Sequence, residues 1–212
     1  SVMPSYNPLG ILGAGRAGTA FARVAARNDI AVRIASSRTP SQIRYHLMQY
    51  APAAKAVHAE HIAEDAAVII LAVPQEDLDD IPPSWFRDRI LIDATNRWEN
   101  EPLPDWFVAG LANGLSSSEV IAQRFPDARV VNALNLISHW AMDAPATAQS
   151  RAAAIASDDA QAAELVAQLV TALGFEPVIA PSLADGKKTE PGTSFFNVAS
   201  TAEQLAQHFL QA

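Results

Sequence analysis

Three glycines spaced as G-x-G-x-x-G lie near the start of the chain, in the segment GAGRAG. An apolar run over residues 8–12 precedes them, and a helix-forming sequence over residues 15–27 follows. In this context Gly13 permits a tight turn, Gly15 lets the backbone approach a diphosphate, and Gly18 lets the helix pack closely on the strand. The first N–H groups of such a helix bind phosphate. The pattern therefore predicts a dinucleotide-binding loop.

Arg16 is the charged residue of this loop and lies between Ala14 and Ala17. A cation at a helix N-terminus is disfavoured by the helix dipole unless an anion lies nearby. Two interpretations stay open for Arg16: contact with a cofactor phosphate, or a solvated cation at the start of the helix. Ala14, Arg16 and Ala17 join the three glycines as predicted cofactor-binding residues.

The second predicted strand, over residues 30–35, is followed by Ser36, Ser37 and Arg38. Chains that bind NAD usually carry Asp or Glu at this place, about twenty residues after the loop, to accept a hydrogen bond from the ribose 2′-OH. A carboxylate there would repel a 2′-phosphate, whereas a guanidinium binds phosphate through charge-assisted, often bidentate hydrogen bonds. These residues therefore predict NADP(H), with a plain surface arginine as the alternative for Arg38.

The composition limits the classes of partner. Of the 212 residues, 50% are hydrophobic and 18% are charged, which predicts a buried core. The net charge of -8, with no basic run, argues against nucleic acid and anionic membranes as partners. The longest apolar runs have the length of a strand, so we expect no membrane span. No signal peptide is visible, and we expect a cytoplasmic protein.

The residues that usually bind metals are sparse. The chain has no cysteine, so no disulfide, thiolate zinc site or cysteine nucleophile is expected. Among the five histidines, His58 and His61 lie three residues apart, but no carboxylate on the same helix face completes a set of ligands. We therefore expect no metal site.

Strand-like apolar segments alternate with helical segments along the chain. Residues 66–73 form an unbroken apolar run, typical of a parallel strand covered on both faces. Ser116 and Glu119 have the spacing of a capping box, and Gly174 ends the helix predicted over residues 158–173. The alternation predicts an α/β fold with a Rossmann-type doubly wound parallel sheet and a small C-terminal α/β extension. The other predicted strands cover residues 90–94, 128–134, 152–156 and 178–180, and the other predicted helices cover residues 41–50, 116–125 and 194–210.

Residues 143–150 are the best candidate for a boundary. We predict an NADP-binding Rossmann domain over residues 1–145 and a small C-terminal lobe over residues 146–212, with one continuous domain as the alternative. The apolar residues of the last helix suit either packing on the core or a dimer face, and we expect a homodimer. They are Phe195, Phe196, Val198, Leu205, Phe209 and Leu210.

Several short segments accompany the glycine loop and Ser37-Arg38 in a characteristic order. Together they resemble the NADP oxidoreductases dependent on coenzyme F420, a group that includes the reductase domain of the STEAP metalloreductases. The chain departs from the family pattern at several places: Ala14 replaces a threonine of some members, Gln42 replaces a second cation, and the segment at residues 132–135 lacks the Lys or His that members often carry there. The segments are AVP at residues 72–74, DATN at 93–96, NALN at 132–135, GFEPV at 174–178, SL at 182–183 and EP at 190–191.

The resemblance implies hydride transfer between NADP(H) and a flavin-like acceptor, with coenzyme F420 favoured. It implies that the glycine loop holds the diphosphate and that Ser37 and Arg38 hold the 2′-phosphate. It also implies two loops that flank the nucleotide and nicotinamide, and a segment over residues 133–137 that faces the acceptor ring. The residues so implied are Ala72, Val73, Pro74, Thr95, Asn96, Ala133, Asn135 and Ile137.

Hydride transfer between two ring systems requires no nucleophile from the protein, so no catalytic residue is assigned. His139 is the nearest candidate acid, with a packing or capping role as the alternative. Asp93 ends a buried strand and is expected to bond loop amides. Two other functions stay open: an NADPH-dependent reductase of a flavin, a ferric chelate or another small acceptor, and an NADP-binding sensor without turnover.

Overall fold

A computed structural model describes residues 4–95, 102–135, 152–190, 193 and 201–211. The strands in these residues are β1 Leu9–Leu12, β2 Val32–Ala35, β3 Lys55–Ala56, β4 Val68–Leu71, β5 Ile90–Asp93, β6 Arg129–Ala133, β7 Ala152–Ala156 and β8 Glu176–Ile179. They form one sheet in the order β3-β2-β1-β4-β5-β6-β7-β8. Neighbouring strands are parallel except β6 and β7, which are antiparallel. The predicted fold class, a Rossmann-type doubly wound parallel sheet, is confirmed, and the antiparallel pairing of β6 with β7 is the exception to it.

Helices cover both faces of this sheet. Residues from α1, α2 and α5 pack on one face, and residues from α3 and α4 pack on the other. Among the described residues, no helix is long and apolar enough to cross a membrane. The α-helices are α1 Arg16–Arg27, α2 Arg44–Tyr50, α3 Asp105–Ala112, α4 Ser117–Arg124, α5 Ala160–Ala172 and α6 Ala202–Leu210, and 3₁₀ turns cover Ala59–His61, Gln75–Asp80, Pro83–Phe86 and Leu183–Thr189.

All four residues of strand β4 are apolar because both faces of this strand are covered. Val68 and Ile70 face the layer that contains α1, whereas Ile69 and Leu71 face the layer that contains α4. All four side chains are fully buried. A strand covered on both faces requires a continuous apolar run rather than alternation, as the sequence predicted.

The strand order reverses at β1, which pairs with β2 on one side and with β4 on the other. At such a switch point the connections that leave the two adjacent strands go to opposite faces of the sheet. A crevice forms there, outside the carboxyl ends of the strands, and it is the usual place for a ligand in this type of fold. The glycine loop follows β1 directly and therefore lies at this crevice.

Two elements of the structure have no counterpart in the sequence pattern. Strand β3 has two residues and forms because Lys55 and Ala56 pair with Arg33 and Ile34 of β2. Helix α3 packs on α4 so closely that a Cβ at Gly110 would lie 2.5 Å from the Val120 side chain. Neither element has the periodicity on which a prediction depends, because one is too short and the other is largely apolar.

The C-terminal part of the chain extends the same sheet. Leu205 and Phe209 of α6 pack beside Ala154 of β7, so these two side chains take the core-packing alternative within the chain. Strand β8 begins at Glu176, two residues before the predicted start. It includes Pro177 and lies at the end of the sheet, where a proline is tolerated. The boundary loop, residues 143–150, lies outside the described residues, so the division into two domains stays a prediction.

Candidate functional site

Gly13 forms the turn between β1 and α1 with a positive φ of +123°, a conformation that favours glycine. Its N–H donates to the carbonyl oxygen of Ala35, at the end of β2, at 2.8 Å. A Cβ at this position would lie 2.5 Å from the carbonyl oxygen of Ala72, just after β4. The predicted tight turn is present, and it brings together the backbone that follows three neighbouring strands.

Gly18 and Gly15 have opposite surroundings. A Cβ at Gly18 would lie 1.8 Å from the carbonyl oxygen of Gly13, so the first turn of α1 presses directly on the loop. A Cβ at Gly15 would meet nothing within 4 Å. Packing within the protein therefore requires a glycine at position 18, whereas Gly15 leaves open space on the outer side of the loop. That space is what a bound diphosphate would require at Gly15.

The N-terminus of α1 is available for an anion. Gly15 is its N-cap, and in the described part of the chain no side chain caps this end. The first turn contains no acidic residue, and Arg16 and Gly15 are exposed. The first N–H groups of a helix have no acceptor within the helix, and the helix dipole adds positive potential. This end of α1 can therefore bind a phosphate group through backbone N–H groups.

Ser36, Ser37 and Arg38 follow β2 at the same edge of the sheet. The hydroxyl of Ser36 accepts a hydrogen bond from the Arg38 N–H at 3.0 Å and so shapes the turn. Ser37 and Arg38 are exposed, and within the described ranges no carboxylate pairs with the Arg38 guanidinium. The side chains of Ser37 and Arg38 are thus available to a ligand, while the Ser36 hydroxyl serves the backbone.

Gln42 takes a structural role at the position where some family members have a second cation. Its Oε1 accepts a hydrogen bond from the Thr39 N–H at 2.9 Å. The Thr39 hydroxyl in turn accepts one from the Gln42 N–H at 3.3 Å. This reciprocal pair has the pattern of a capping box and fixes the turn that leads to α2. Arg38 is therefore the cation that this loop offers to a ligand.

The loop after β4 borders the glycine loop. The Ala72 N–H donates to the carbonyl oxygen of Leu12 at 2.8 Å, which ties the end of β4 to the end of β1. Val73 is half-buried and packs against the apolar layer that contains α4, while Pro74 is exposed. The three residues that the resemblance implies thus lie at the switch point, beside the turn at Gly13.

A buried polar network surrounds Asp93 and Thr95 at the end of β5. One carboxylate oxygen of Asp93 accepts hydrogen bonds from the Thr95 N–H at 2.9 Å and from its hydroxyl at 2.5 Å. The other accepts one from the Ser118 hydroxyl in α4 at 2.6 Å. The Gln75 side-chain amide, which follows β4, donates to the Thr95 hydroxyl at 3.0 Å. The network links the ends of β4 and β5 to α4, and it confirms the expected bond from Asp93 to a loop amide.

Burial raises the pKa of the Asp93 carboxyl, while the hydrogen bonds from Ser118 and Thr95 act in the opposite direction. The folded protein therefore binds the Asp93 proton more tightly than the unfolded chain. At pH values between the pKa of Asp93 in the unfolded chain and its pKa in the folded protein, the contribution of Asp93 to the free energy of unfolding falls as the pH rises. The stabilisation is complete below the unfolded pKa of about 4 and is lost as the pH rises through the folded pKa.

We expect Asp93→Asn to lack this contribution, so that the variant gains stability relative to the wild type as the pH is raised from about 4 to about 8. Urea unfolding of both proteins across this range measures the difference. Asp65→Asn is the matched control, because Asp65 is exposed. Parallel pH profiles for the wild type and Asp93→Asn would contradict the assignment.

The end of β6 is joined to the C-terminal 3₁₀ turn. The Asn135 side-chain amide donates to the carbonyl oxygen of Thr189 at 3.5 Å, and Asn135 and Ala133 are buried. The Glu190 carboxylate accepts a hydrogen bond from the Ser117 N–H, at the start of α4, at 2.7 Å. These contacts place Asn135 and Ala133 at the carboxyl end of the sheet, near the Asp93 network.

Three predicted residues, Asn96, Ile137 and His139, lie outside the described residues, so their roles stay predictions. The structure adds four polar residues for which the sequence predicted no role. Across the described ranges, no group of three His, Asp or Glu side chains is placed to hold a metal ion. The added residues are His46, Gln75, Ser118 and Glu190.

The family comparison covers the strands and loops just described. Residues 8–97 match the model of the family described as NADP oxidoreductase coenzyme F420-dependent. The match includes the glycine loop, Ser37, Arg38 and the network residues up to Thr95, and it confirms the resemblance predicted from the sequence. The class that it supports is that of the NADP oxidoreductases.

Two known proteins are similar to this chain over most of its length. The metalloreductase STEAP3 of Rattus norvegicus is 28% identical over 184 residues, which cover 86% of this chain and 35% of that protein. This chain thus corresponds to about a third of the length of that relative. A hypothetical protein of Sinorhizobium meliloti has a solved structure with a TM-score of 0.78 and 28% identity, covering 93% of this chain and 95% of that one.

A further solved structure supports the fold alone. A protein of Arthrobacter sp. FB24, assigned as an F420-dependent NADP-reductase, aligns with a TM-score of 0.71 and 20% identity. The alignment covers 91% of this chain and 98% of that chain. The described architecture is therefore a known form of this type of fold.

Proposed function

We propose that this chain is an NADP(H)-dependent oxidoreductase that transfers a hydride between NADP(H) and a flavin-like acceptor. The observation that carries the proposal is the uncapped N-terminus of α1, with open space at Gly15, next to the exposed Ser37 and Arg38. The first feature suits a diphosphate. The second suits a 2′-phosphate, because no acidic side chain follows β2 at the place where an NAD-binding chain carries one.

The residues present fit this cofactor. Gly15 provides a cradle that a Cβ would fill, and the backbone N–H groups after it face no helical acceptor. Arg38 would hold the 2′-phosphate by charge-assisted hydrogen bonds, with the Ser37 hydroxyl beside it. Arg16, exposed at the first position of α1, would lie near the diphosphate, which offsets its unfavourable position against the helix dipole.

The other predicted residues would orient the reactive end. When bound, NADPH supplies the hydride. Asp93 and Gln75 hold Thr95 by hydrogen bonds, and Ser118 holds Asp93, so Thr95 has its position before any ligand arrives. Prearranged positions of this kind reduce the entropy cost of bringing two rings together. We propose that Thr95, Asn96 and the segment from Ala133 to Ile137 perform this orientation.

The acceptor is the open part of the proposal. The description of the matching family favours coenzyme F420, whereas the STEAP3 relative is a metalloreductase. We propose coenzyme F420 as the first candidate and a flavin, a ferric chelate or another small acceptor as the second. The NADP-binding sensor stays as the alternative without catalysis.

A screen of acceptors tests the proposal. The protein is mixed with NADPH under anaerobic conditions and then with coenzyme F420, FMN, FAD or a ferric chelate, while the near-ultraviolet absorbance of NADPH is followed. We expect oxidation of NADPH with coenzyme F420 at a rate that depends on protein concentration. Tight binding of NADPH without oxidation by any acceptor would favour the sensor, and absence of NADPH binding would overturn the function altogether.

Assembly and location are further parts of this proposal. We propose a homodimer, because Leu210 of α6 and Ile179 of β8 remain 76% and 46% exposed within one chain. Light scattering in solution tests this, and a monomer mass would contradict it. We also propose that residues 146–212 form a lobe beside the nucleotide-binding part, residues 1–145, and that the protein acts in the cytoplasm.

A further inference from the structure

His46 contacts the glycine loop, although it lies outside every motif that the sequence offered. Its Nε2 atom lies 2.6 Å from the carbonyl oxygen of Ala14. A carbonyl oxygen only accepts hydrogen bonds, so Nε2 carries the proton and donates it. His46 lies on α2, is half-buried, and has its ring centroid 4.9 Å from that of Tyr50.

Helix α2 holds His46 in place. Its Leu47 side chain is buried in the layer that contains α1. The carbonyl oxygen of Tyr50, at the end of α2, accepts a hydrogen bond from the Arg23 guanidinium of α1 at 2.9 Å. The helix is therefore fixed against α1 at the apolar face and at its C-terminal end. Its position determines where the donor of His46 can reach.

The bond to Ala14 determines the direction of a neighbouring N–H group. In a planar trans peptide the C=O of one residue and the N–H of the next point in opposite directions. His46 holds the Ala14 carbonyl on the side of α2, so the Gly15 N–H points away from α2. Thr19 acts similarly on the next peptide, because its hydroxyl donates to the Gly15 carbonyl oxygen at 2.8 Å.

We infer that His46 is a positioning residue for the diphosphate of the dinucleotide. It turns the negative carbonyl of Ala14 away from the phosphate groups and presents the Gly15 N–H to them. The inference rests on the proposed function, since it requires a diphosphate at this loop. His46 acts through the backbone of Ala14 rather than through the 2′-phosphate. Its effect is therefore the same for NADPH and for NADH, which share the diphosphate.

A pair of similar side chains tests this role. Gln replaces His46 with an amide that retains a donor at a comparable reach, whereas Met has a similar length and no donor. We expect H46M to weaken the binding of both NADPH and NADH by about three- to tenfold, the effect of one hydrogen bond. We expect H46Q to recover most of this loss. His61→Met, on an exposed turn outside the loop, is the control and leaves both affinities unchanged.

Isothermal titration gives the affinities, and urea unfolding without ligand shows that each variant is folded. H46A replaces H46M if the latter does not fold. Unchanged binding by the folded donor-free variant would overturn the inference, and so would a loss confined to NADPH or a lack of recovery in H46Q. If the wild type itself binds neither cofactor, the proposed function fails instead, and the two failures are thus distinguishable.

Discussion

Gly18→Ala is expected to destabilise the protein severely, whereas Gly15→Ala is expected to fold normally and to bind the cofactor more weakly. At Gly18 the new Cβ would lie 1.8 Å from the Gly13 carbonyl oxygen, and neither backbone segment can move without disturbing β1 or α1. A loss of about 3–5 kcal/mol is expected for a clash of this kind, a large part of the stability of a typical domain. At Gly15 the Cβ enters open space, so the folded protein accommodates it.

The two variants carry the same chemical change three residues apart, so each serves as the control for the other. Urea unfolding measures the first effect, and titration with NADPH measures the second. We expect Gly15→Ala to retain the wild-type unfolding midpoint and to bind NADPH about 10- to 100-fold more weakly, because the methyl group occupies the approach of the diphosphate. Wild-type NADPH affinity in Gly15→Ala would contradict the assignment of this loop.

Arg38→Met is expected to remove the preference for NADPH over NADH. A charge-assisted contact between a guanidinium and a phosphate contributes about 1.5–3 kcal/mol, which corresponds to about 10- to 150-fold in affinity. The loss should appear for NADPH alone, because NADH has no 2′-phosphate. Gln42 is engaged with Thr39 and supplies no second cation, so the remaining preference in the variant should be small.

Arg44→Met is the matched control for this variant. Arg44 is also exposed, lies six residues further along at the start of α2, and its loss changes the net charge by the same amount. Titrations with both cofactors at two salt concentrations distinguish a direct contact between Arg38 and the 2′-phosphate from long-range electrostatic attraction, because salt screens the long-range attraction. An equal loss of NADPH affinity in the two variants, or an unchanged preference in Arg38→Met, would show that Arg38 does not bind the 2′-phosphate.

The sheet could be predicted because its determinants are local. The apolar run around β4, the glycine loop and the capping box at Ser116 each specify a structure within a few residues, and the structure contains all three. Strand β3 could not be predicted, since two residues carry no period and Lys55 adopts an extended conformation through pairing with Arg33. Helix α3 lacks a clear polar face, so its pattern indicated no element.

Some residues of the candidate site could likewise be predicted from the sequence, and others could not. Gly13, Gly18 and Arg38 were predictable because a short motif with a fixed spacing names them. Gln75 and Ser118 lie 18 and 25 residues from Asp93 along the chain. Gln75 meets Thr95, and Ser118 meets Asp93, only because the fold brings the residues after β4 and the start of α4 to the same edge of the sheet. His46 has no motif at all, and its role depends on how α2 packs on α1. Long-range contacts of this kind require the fold to be known.

The affinity of the wild-type protein for NADPH and for NADH tests the central claim most directly. Isothermal titration with each cofactor, at one defined salt concentration, requires no acceptor and no variant. The account predicts that NADPH binds at least about tenfold more tightly than NADH, because the contact between Arg38 and the 2′-phosphate is added to a shared diphosphate site. Equal affinities, or no binding of either cofactor, would contradict it.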